Sequence, residues 1–311
     1  MGICNVTPDS FSDGGQFADY AAATARVDAL LAEGADIIDL GAESTRPGAK
    51  PVPAKEQLAR VLEVVRYAAS RACVSIDTTS PEVAAACLDA GACLVNDVSL
   101  LADDDLAKVV AASGAALALM HARGPMEKMR GFSHYPDEGY GDVVKDVVAE
   151  WSAAAERARA AGVAPDALLM DPGLGFAKNA RQSAELLRRT AELVAAVPVP
   201  VLVGASRKSF LTTLGHGGDA AAPAPAARLG ASLAAALFAA NAGASVLRVH
   251  DVLATAQLLD ASRALAAKAD ADSDSDTDAD ADSDADSDAV TDADTDAVTD
   301  ADTDTDVKGR A

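Results

Sequence analysis

Eight groups of polar side chains capable of site chemistry punctuate an otherwise Ala- and Val-rich chain: Asn5, Glu43-Ser-Thr-Arg46, Asp77, Asn96, His121, Asp171, Ser206-Arg-Lys208, and Arg248 with His250. Asp77, Asn96, Asp171 and Lys208 make a coherent recognition set. A carboxylate accepts two parallel N–H donors, an Asn amide offers both signs, and a Lys ammonium donates to a carbonyl or ring nitrogen. Together they match a flat, guanine-like heterocycle with an amino group, a ring N–H and a carbonyl oxygen. Arg248 and His250 lie two apart, so on a strand they face the same side. A helix opening near Asp251 would add an N-terminus that favours anions, which makes this a phosphate or diphosphate corner. Asn5 can reach the same anion, or a Mg²⁺ bound to it, if the first and last strands are neighbours. Any one of these residues alone reads better as an Asx turn, a cap or a structural ion pair. Their recurrence carries the argument.

Other chemistries lack their residues. There is no nucleophile elbow with Ser, His and Asp in order, no zinc-spaced His pair, and no Lys embedded in an apolar strand. Two long, polar, Gly-terminated connections, Thr7-Pro-Asp-Ser-Phe-Ser-Asp-Gly-Gly15 and Ala42-Glu-Ser-Thr-Arg-Pro-Gly48, have the composition of mobile lids.

The elements that must position these groups are short apolar runs: Met1–Asn5, Asp36–Leu40, Cys73–Asp77, Cys93–Asp97, Ala116–Met120, Ala167–Asp171, Val199–Val203 and Ser245–Val249. Between them lie longer stretches of helical pattern, among them Ala54–Arg71, Pro81–Ala90, Val143–Ala161, Ala180–Ala196 and Ala226–Ala242. Several end one to three residues before the next strand at Gly34, Gly91, Gly114, Gly162 or Gly243, as helix C-caps do. Eight strand–helix units predict an α/β fold, a (β/α)₈ TIM barrel, over residues 1–267. In such a barrel all strand ends meet on one rim, where active sites form. A doubly wound open sheet is the structural alternative, but it would carry a Gly-rich phosphate turn where this chain has Asn5-Val-Thr-Pro.

Composition bounds the rest. Of the net charge of −22, residues 270–311 hold −15, from 17 Asp against Lys308 and Arg310, leaving −7 for residues 1–269. That excludes a basic nucleic-acid footprint. The segment 268–311 alternates Asp with Ala, Ser or Thr and has no apolar period, so it is expected to be a disordered acidic tail; it lacks the Gly and Glu of a calcium loop. No apolar stretch suits a membrane span and the start does not read as a signal peptide, so a cytoplasmic protein is expected. Cys4, Cys73, Cys87 and Cys93 show no CxxC pairing and are expected to be reduced, buried thiols.

The motifs Asn5-Val-Thr-Pro-Asp-Ser-Phe-Ser-Asp-Gly-Gly15, Gly41-Ala-Glu-Ser-Thr-Arg-Pro-Gly48, Ser75-Ile-Asp-Thr78, Val95-Asn-Asp97, Leu119-Met-His121, Asp171-Pro-Gly-Leu-Gly-Phe176, Gly204-Ala-Ser-Arg-Lys-Ser209 and Arg248-Val-His-Asp-Val252 stand in one order. That order resembles the dihydropteroate synthase family, over essentially all of residues 1–267. The resemblance implies condensation of a dihydropterin diphosphate with p-aminobenzoate, with Mg²⁺ as cofactor and a homodimer as the assembly. It implies Asp77, Asn96, Asp171 and Lys208 for the pterin. Asn5, Thr45, Arg248 and His250 would serve the diphosphate, Asn5 also the metal, and Arg248, His250 and Lys208 the catalysis. Phe11, Thr45, Pro47, Phe176, Ser206 and Lys208 would frame p-aminobenzoate. Two departures stand out: the chain opens at the first motif, so a short first strand is expected, and Ala177 replaces a glycine common in the family. Two rival readings are a non-catalytic pterin-binding paralogue and a methyltetrahydrofolate:corrinoid methyltransferase. The latter has no need for Ser206-Arg207-Lys208 or Arg248-Val-His250.

Overall fold

Strands and helices alternate throughout the computed structural model, which describes residues 1–6, 15–43, 50–129, 135–213 and 222–276. The strands are β1 (Gly2–Asn5), β2 (Ile37–Gly41), β3 (Cys73–Asp77), β4 (Leu94–Asp97), β5 (Ala116–Met120), β6 (Leu168–Asp171), β7 (Leu202–Val203) and β8 (Val246–Leu247). The helices are α1 (Gly15–Ala32), α2 (Ala54–Ala69), α3 (Pro81–Asp89), α4 (Asp104–Ser113), α5 (Val143–Ala160), α6 (Ala180–Arg188), α7 (Thr190–Ala196), α8 (Phe210–Thr213), α9 (Leu229–Asn241) and α10 (Val252–Asp276).

β1 to β6 pair in sequence order, all parallel, and β7 pairs with β8. Single bridges, Met170 to Val201 and Gly2 to Val249, join the two sheets into a closed ring. Around the second bridge Ile3 N–H donates to Val249 O and Val249 N–H to Met1 O, both at 3.0 Å. The short first strand is therefore paired on both sides. β7 and β8 are shorter than the runs Val199–Val203 and Ser245–Val249 predict. Pro198 and Pro200 carry no N–H, so the start of the seventh run cannot sustain a ladder.

Period-two alternation sorts each strand between two interiors. Ile38, Leu40, Val74, Ile76, Val95, Leu117, Leu119, Met170 and Val203 face the helices and form the main core. Inside the ring, Met1, Leu94, Ala118 and Leu202 make an apolar floor. Above it the inward positions turn polar: Asp39, Ser75, Asp77, Asn96 and Asp171, all buried. An apolar plug below and charge above is what makes the upper mouth the reactive end.

Capping sets where the helices begin. Ser80 Oγ accepts from Val83 N–H at the start of α3, Asp142 Oδ1 from Val144 N–H at the start of α5, and Asn179 with Gln182 closes a reciprocal capping box at α6. The five glycines expected as caps all take positive φ, between 69° and 107°. The single helix predicted over Ala180–Ala196 is broken in two at Arg189, which has φ −101° and ψ 27°.

One expectation needs correction. Cys73 and Cys93 are not buried thiols: both are exposed and they form a disulfide. They begin adjacent parallel strands, whose spacing puts their Cα atoms 6.1 Å apart, within disulfide reach. Cys4 and Cys87 are buried free thiols, and burial pushes both up to about 12. α10 runs to Asp276, and residues 277–311, most of the expected tail, lie outside the described residues. Met1–Arg263 forms one compact unit. Among the described residues no helix is long and apolar enough to cross a membrane.

Candidate active site

The polar layer above the barrel floor is held by neighbouring strands in register. Asp39 on β2 lies beside Ser75 on β3, and Asp77 on β3 beside Asn96 on β4. Arg248, just beyond β8, reaches across the ring into this layer. Its Nη2 stands 2.6 Å from Asp39 Oδ2 and 2.7 Å from Asp77 Oδ2, and its Nε donates to Asp39 Oδ2 at 2.6 Å. Asn96 Nδ2 donates to the same Asp39 oxygen at 3.4 Å. One guanidinium thus bridges two buried carboxylates, whose attraction offsets the cost of taking all three charges out of water.

Four atoms of this layer remain buried without a partner: Asp39 Oδ1, Ser75 Oγ, Asp77 Oδ1 and Asn96 Oδ1. Orphaned buried acceptors are costly, about 1–3 kcal/mol each, and so mark a surface built for donors from outside the protein. Burial pushes the Asp77 carboxyl up from the ordinary range, with Arg248 pulling it back down.

The opposite wall is Asp171, Phe176 and Lys208. Asp171 ends β6, and its Oδ1 accepts from Gly173 N–H at 2.7 Å. Lys208 Nζ donates to Leu174 O at 2.6 Å and lies 4.8 Å from the centre of the Phe176 ring, a cation–π contact. Gly204 lies between this wall and Arg248: a Cβ there would make ordinary contact, 3.9 Å from Asp171 Oδ2 and 3.8 Å from Arg248 Cβ. Burial raises the Asp171 carboxyl, opposed first by Lys208. Burial pushes the Lys208 ammonium down to about 8, against the pull of Asp171.

That value has a consequence for pH. The Lys208 cation is present below about pH 8 and lost above it. Affinity for a ligand that accepts a hydrogen bond from it is expected to fall above pH 8 with a one-proton dependence. Calorimetric titrations from pH 6.5 to 9.5 check this; Lys208→Met should bind weakly with a flat profile, and a flat wild-type profile would contradict the role.

At the rim, Ser206 Oγ is 3.0 Å from His250 Nδ1 and accepts from His250 N–H at 3.2 Å. Arg26 Nη2 donates to the His250 carbonyl at 3.0 Å. Arg207, at φ 60°, turns outward to pair with Asp251, its Nε donating to Asp251 Oδ2 at 2.9 Å. Asn5 stands exposed at the end of β1, where its Oδ1 is 3.4 Å from the Cβ position of Gly41, which is itself 3.6 Å from Asp77 Cβ.

The structure thus gathers Asp77, Asn96, Asp171, Phe176, Ser206, Lys208, Arg248 and His250 at one end of the barrel, with Asn5 on the adjoining strand. Within this end, the Arg248 guanidinium is paired with Asp39 and Asp77, and Ser206 Oγ lies 3.0 Å from His250 Nδ1. Phe11, Thr45 and Pro47 lie outside the described residues. Sequence reasoning missed Asp39 and Ser75 as members of the layer. A charged residue inside the run Ile37-Ile-Asp-Leu40, two before Gly41, was the available signal. His121, which the sequence groups with the rim, is fully buried beneath it against Glu150 and Lys178.

A closed parallel barrel with a layer of buried, partly unpartnered polar side chains at its C-terminal mouth is the class that fold and site define. The "Pterin binding enzyme" family profile matches residues 1–250. The dihydropteroate synthase of Mycobacterium leprae is 46% identical over 261 residues, covering 83% of this chain and 90% of that protein. Among solved structures, Xanthomonas albilineans dihydropteroate synthase with 4-aminobenzoic acid superposes with a TM-score of 0.76 at 40% identity, covering 86% of this chain and 92% of the other. The same enzyme in complex with 7,8-dihydropteroate gives a TM-score of 0.72 at 37% identity, over 86% and 93% of the two chains. The chain belongs to the pterin binding enzyme family, among its dihydropteroate synthases.

Proposed function

We infer that this chain condenses 6-hydroxymethyl-7,8-dihydropterin diphosphate with p-aminobenzoate, releasing 7,8-dihydropteroate and diphosphate. The observation that carries the reading is the set of buried, unpartnered acceptors in the barrel mouth, Asp77 Oδ1 and Asn96 Oδ1 foremost, opposite Asp171 and Lys208. A pterin has the complementary edge: an amino group and ring N–H donors for the carboxylates, and a carbonyl and ring nitrogen for the lysine.

In the reaction, the neutral aniline nitrogen attacks the pterin methylene as the methylene–oxygen bond breaks. The bonding pair leaves with the diphosphate, and the nitrogen sheds a proton to solvent. Little acid–base machinery is needed, because an aniline is already unprotonated at neutral pH. The work of the protein is to orient the two rings and to stabilise charge on the leaving group. Asp77, Asn96, Asp171 and Lys208 hold the pterin. Phe176, Ser206 and Lys208, with Phe11, Thr45 and Pro47, frame p-aminobenzoate. His250 and Arg248 serve the diphosphate at the mouth where α10 begins, and Thr45, outside the described residues, is assigned to the same group. Arg248 can serve there once pterin donors replace its hold on Asp77.

A magnesium ion fits the donor set in one way. Among the described residues no group of three His, Cys, Asp or Glu side chains could cage a metal. Asn5 offers a single exposed neutral oxygen, which suits a cation carried mainly by substrate phosphates and water. There it would neutralise charge on the departing diphosphate. A homodimer in the cytoplasm is the proposed working form.

The assay is diphosphate release with both substrates and Mg²⁺ present. Release is expected only with the pair, diminished by chelation and competed by sulfonamides. Pterin binding without release would indicate a binding protein instead, and methyl transfer to a cobalt cofactor the corrinoid enzyme.

A further inference from the structure

Among the described residues, one of the largest fully buried side chains is a lysine whose amine meets no side chain of the site residues. Lys178 is 0% exposed. Its Nζ meets His121 Nδ1 at 2.8 Å, Gly173 O at 3.0 Å, Phe176 O at 3.0 Å and His121 O at 3.3 Å. No carboxylate is bonded to it. Burial pushes the Lys178 ammonium well below the ordinary lysine range. The amine carries two hydrogens and the ammonium three, so in either form the three short acceptors leave no donor for substrate or water. His121 is held as the neutral ring, because burial and the neighbouring lysine push it down to about 3. Its Nδ1 therefore accepts from Lys178 while Nε2 faces Glu150 at 3.0 Å.

What the amine ties together is the connection from β6 to α6. Along residues 173–177 every second one takes positive φ: Gly173 at 64°, Gly175 at 82° and Ala177 at 51°. This alternation turns the carbonyls of Gly173 and Phe176 onto Lys178, while Leu174 O points the other way and receives Lys208 Nζ at 2.6 Å. The same loop supplies Gly173 N–H to Asp171 and the Phe176 ring to Lys208. Backing is rigid: a Cβ on Gly173 would lie 2.0 Å from the His121 carbonyl oxygen, Gly175 N–H donates to Ser183 Oγ at 3.0 Å, and Tyr140 Oη donates to Ala177 O at 3.2 Å. A left-handed conformation at Ala177 costs about 1 kcal/mol or more and persists only where neighbours hold it.

We propose that Lys178 is a positioning residue for the reaction, pinning the β6–α6 loop so that Leu174 O and Phe176 hold Lys208 where both substrates meet it. The hydrogen bonds carry this role, not the charge. It rests on the reaction proposed above. It also predicts a pattern that loss of packing alone would not produce. Without the pin, Lys208 loses its carbonyl and its aromatic partner, so the p-aminobenzoate side loosens. The leaving-group side, on His250 and Arg248, keeps its geometry.

The test is Lys178→Met, which keeps the length and removes the donors, compared with Trp151→Phe. The latter loses the Trp151 Nε1 hydrogen bond to Leu119 O on the helix side of β5, away from the site. Both variants should melt lower than wild type. Lys178→Met should raise KM for p-aminobenzoate about tenfold or more while kcat changes less than about threefold, and Trp151→Phe should leave both near wild type. If Lys178→Met does not fold, Ser183→Ala, which frees Gly175 N–H, should shift the same KM in the same direction by a smaller factor. An unchanged KM in a folded Lys178→Met, or in Ser183→Ala where that stands in for it, overturns the proposal. The wild-type chain run alongside separates the two claims. No diphosphate release from it overturns the reaction and this role together; release with unchanged variant kinetics overturns only Lys178.

Discussion

Replacing Arg248 by alanine is expected to slow diphosphate release about 10²–10³-fold, the usual loss when one contact to a developing anion is removed. The structure adds a second effect of the same substitution. Arg248 is the shared partner of Asp39 and Asp77, both buried. Its removal leaves two carboxylates close together and uncompensated, a situation that costs about 3–5 kcal/mol. For a chain of this size that corresponds to a fall in Tm of order 10 °C. Asp77 would also take up a proton more readily, since Arg248 is the group that opposes its burial. Arg248→Lys should recover much of the stability but little of the rate, because an ammonium cannot span two carboxylates as a planar fork does. Single-turnover release and thermal melts measure the two effects separately. A variant with wild-type turnover would remove Arg248 from the chemistry.

Asp171→Ala is expected to act on binding first. Its carboxylate is the anion nearest in effect to Lys208, and it also anchors Gly173 N–H. Truncating one member of a buried charged pair costs about 2–5 kcal/mol, partly because the other is left alone. Affinity for pterin diphosphate should fall roughly 10²–10³-fold by calorimetry, at any pH where Lys208 is protonated. The contrast between the two variants is the sharper test. Asp171 should move Kd and Arg248 mainly kcat; equal, mild effects in both would dismantle the division of labour between pterin-holding and leaving-group residues.

Much of this was legible without coordinates. Period-two apolar runs ending in Asp, Asn, Lys or Arg can be read because side chains alternate across a strand and a parallel barrel brings every strand end to one mouth. Hence Asp77, Asn96, Asp171 and Lys208 could be grouped although 131 residues separate the first from the last. The helix termini at Gly34, Gly91, Gly114, Gly162 and Gly243 were equally readable, since a left-handed cap favours the one residue without a Cβ.

What escaped depended on distances between strands. The Cys73–Cys93 pair needs the knowledge that β3 and β4 start side by side, 6.1 Å apart between Cα atoms. Asp39 looked like one acid in an apolar run until Arg248, 209 residues later, was seen to reach it. Lys178 gave no signal, because three of its partners are carbonyl oxygens, which every residue possesses, and the fourth is the ring of His121, 57 residues before it. By itself the sequence determined the barrel, its reactive end and the chemical types gathered there, since these follow from local periodicity and from residue identity at strand ends. Only the tertiary structure decided that the Arg248 guanidinium bridges Asp39 and Asp77, and that the buried Lys178 amine gathers the carbonyls of Gly173 and Phe176. Long side chains choose among partners by reach and burial, and neither is written in spacing along the chain.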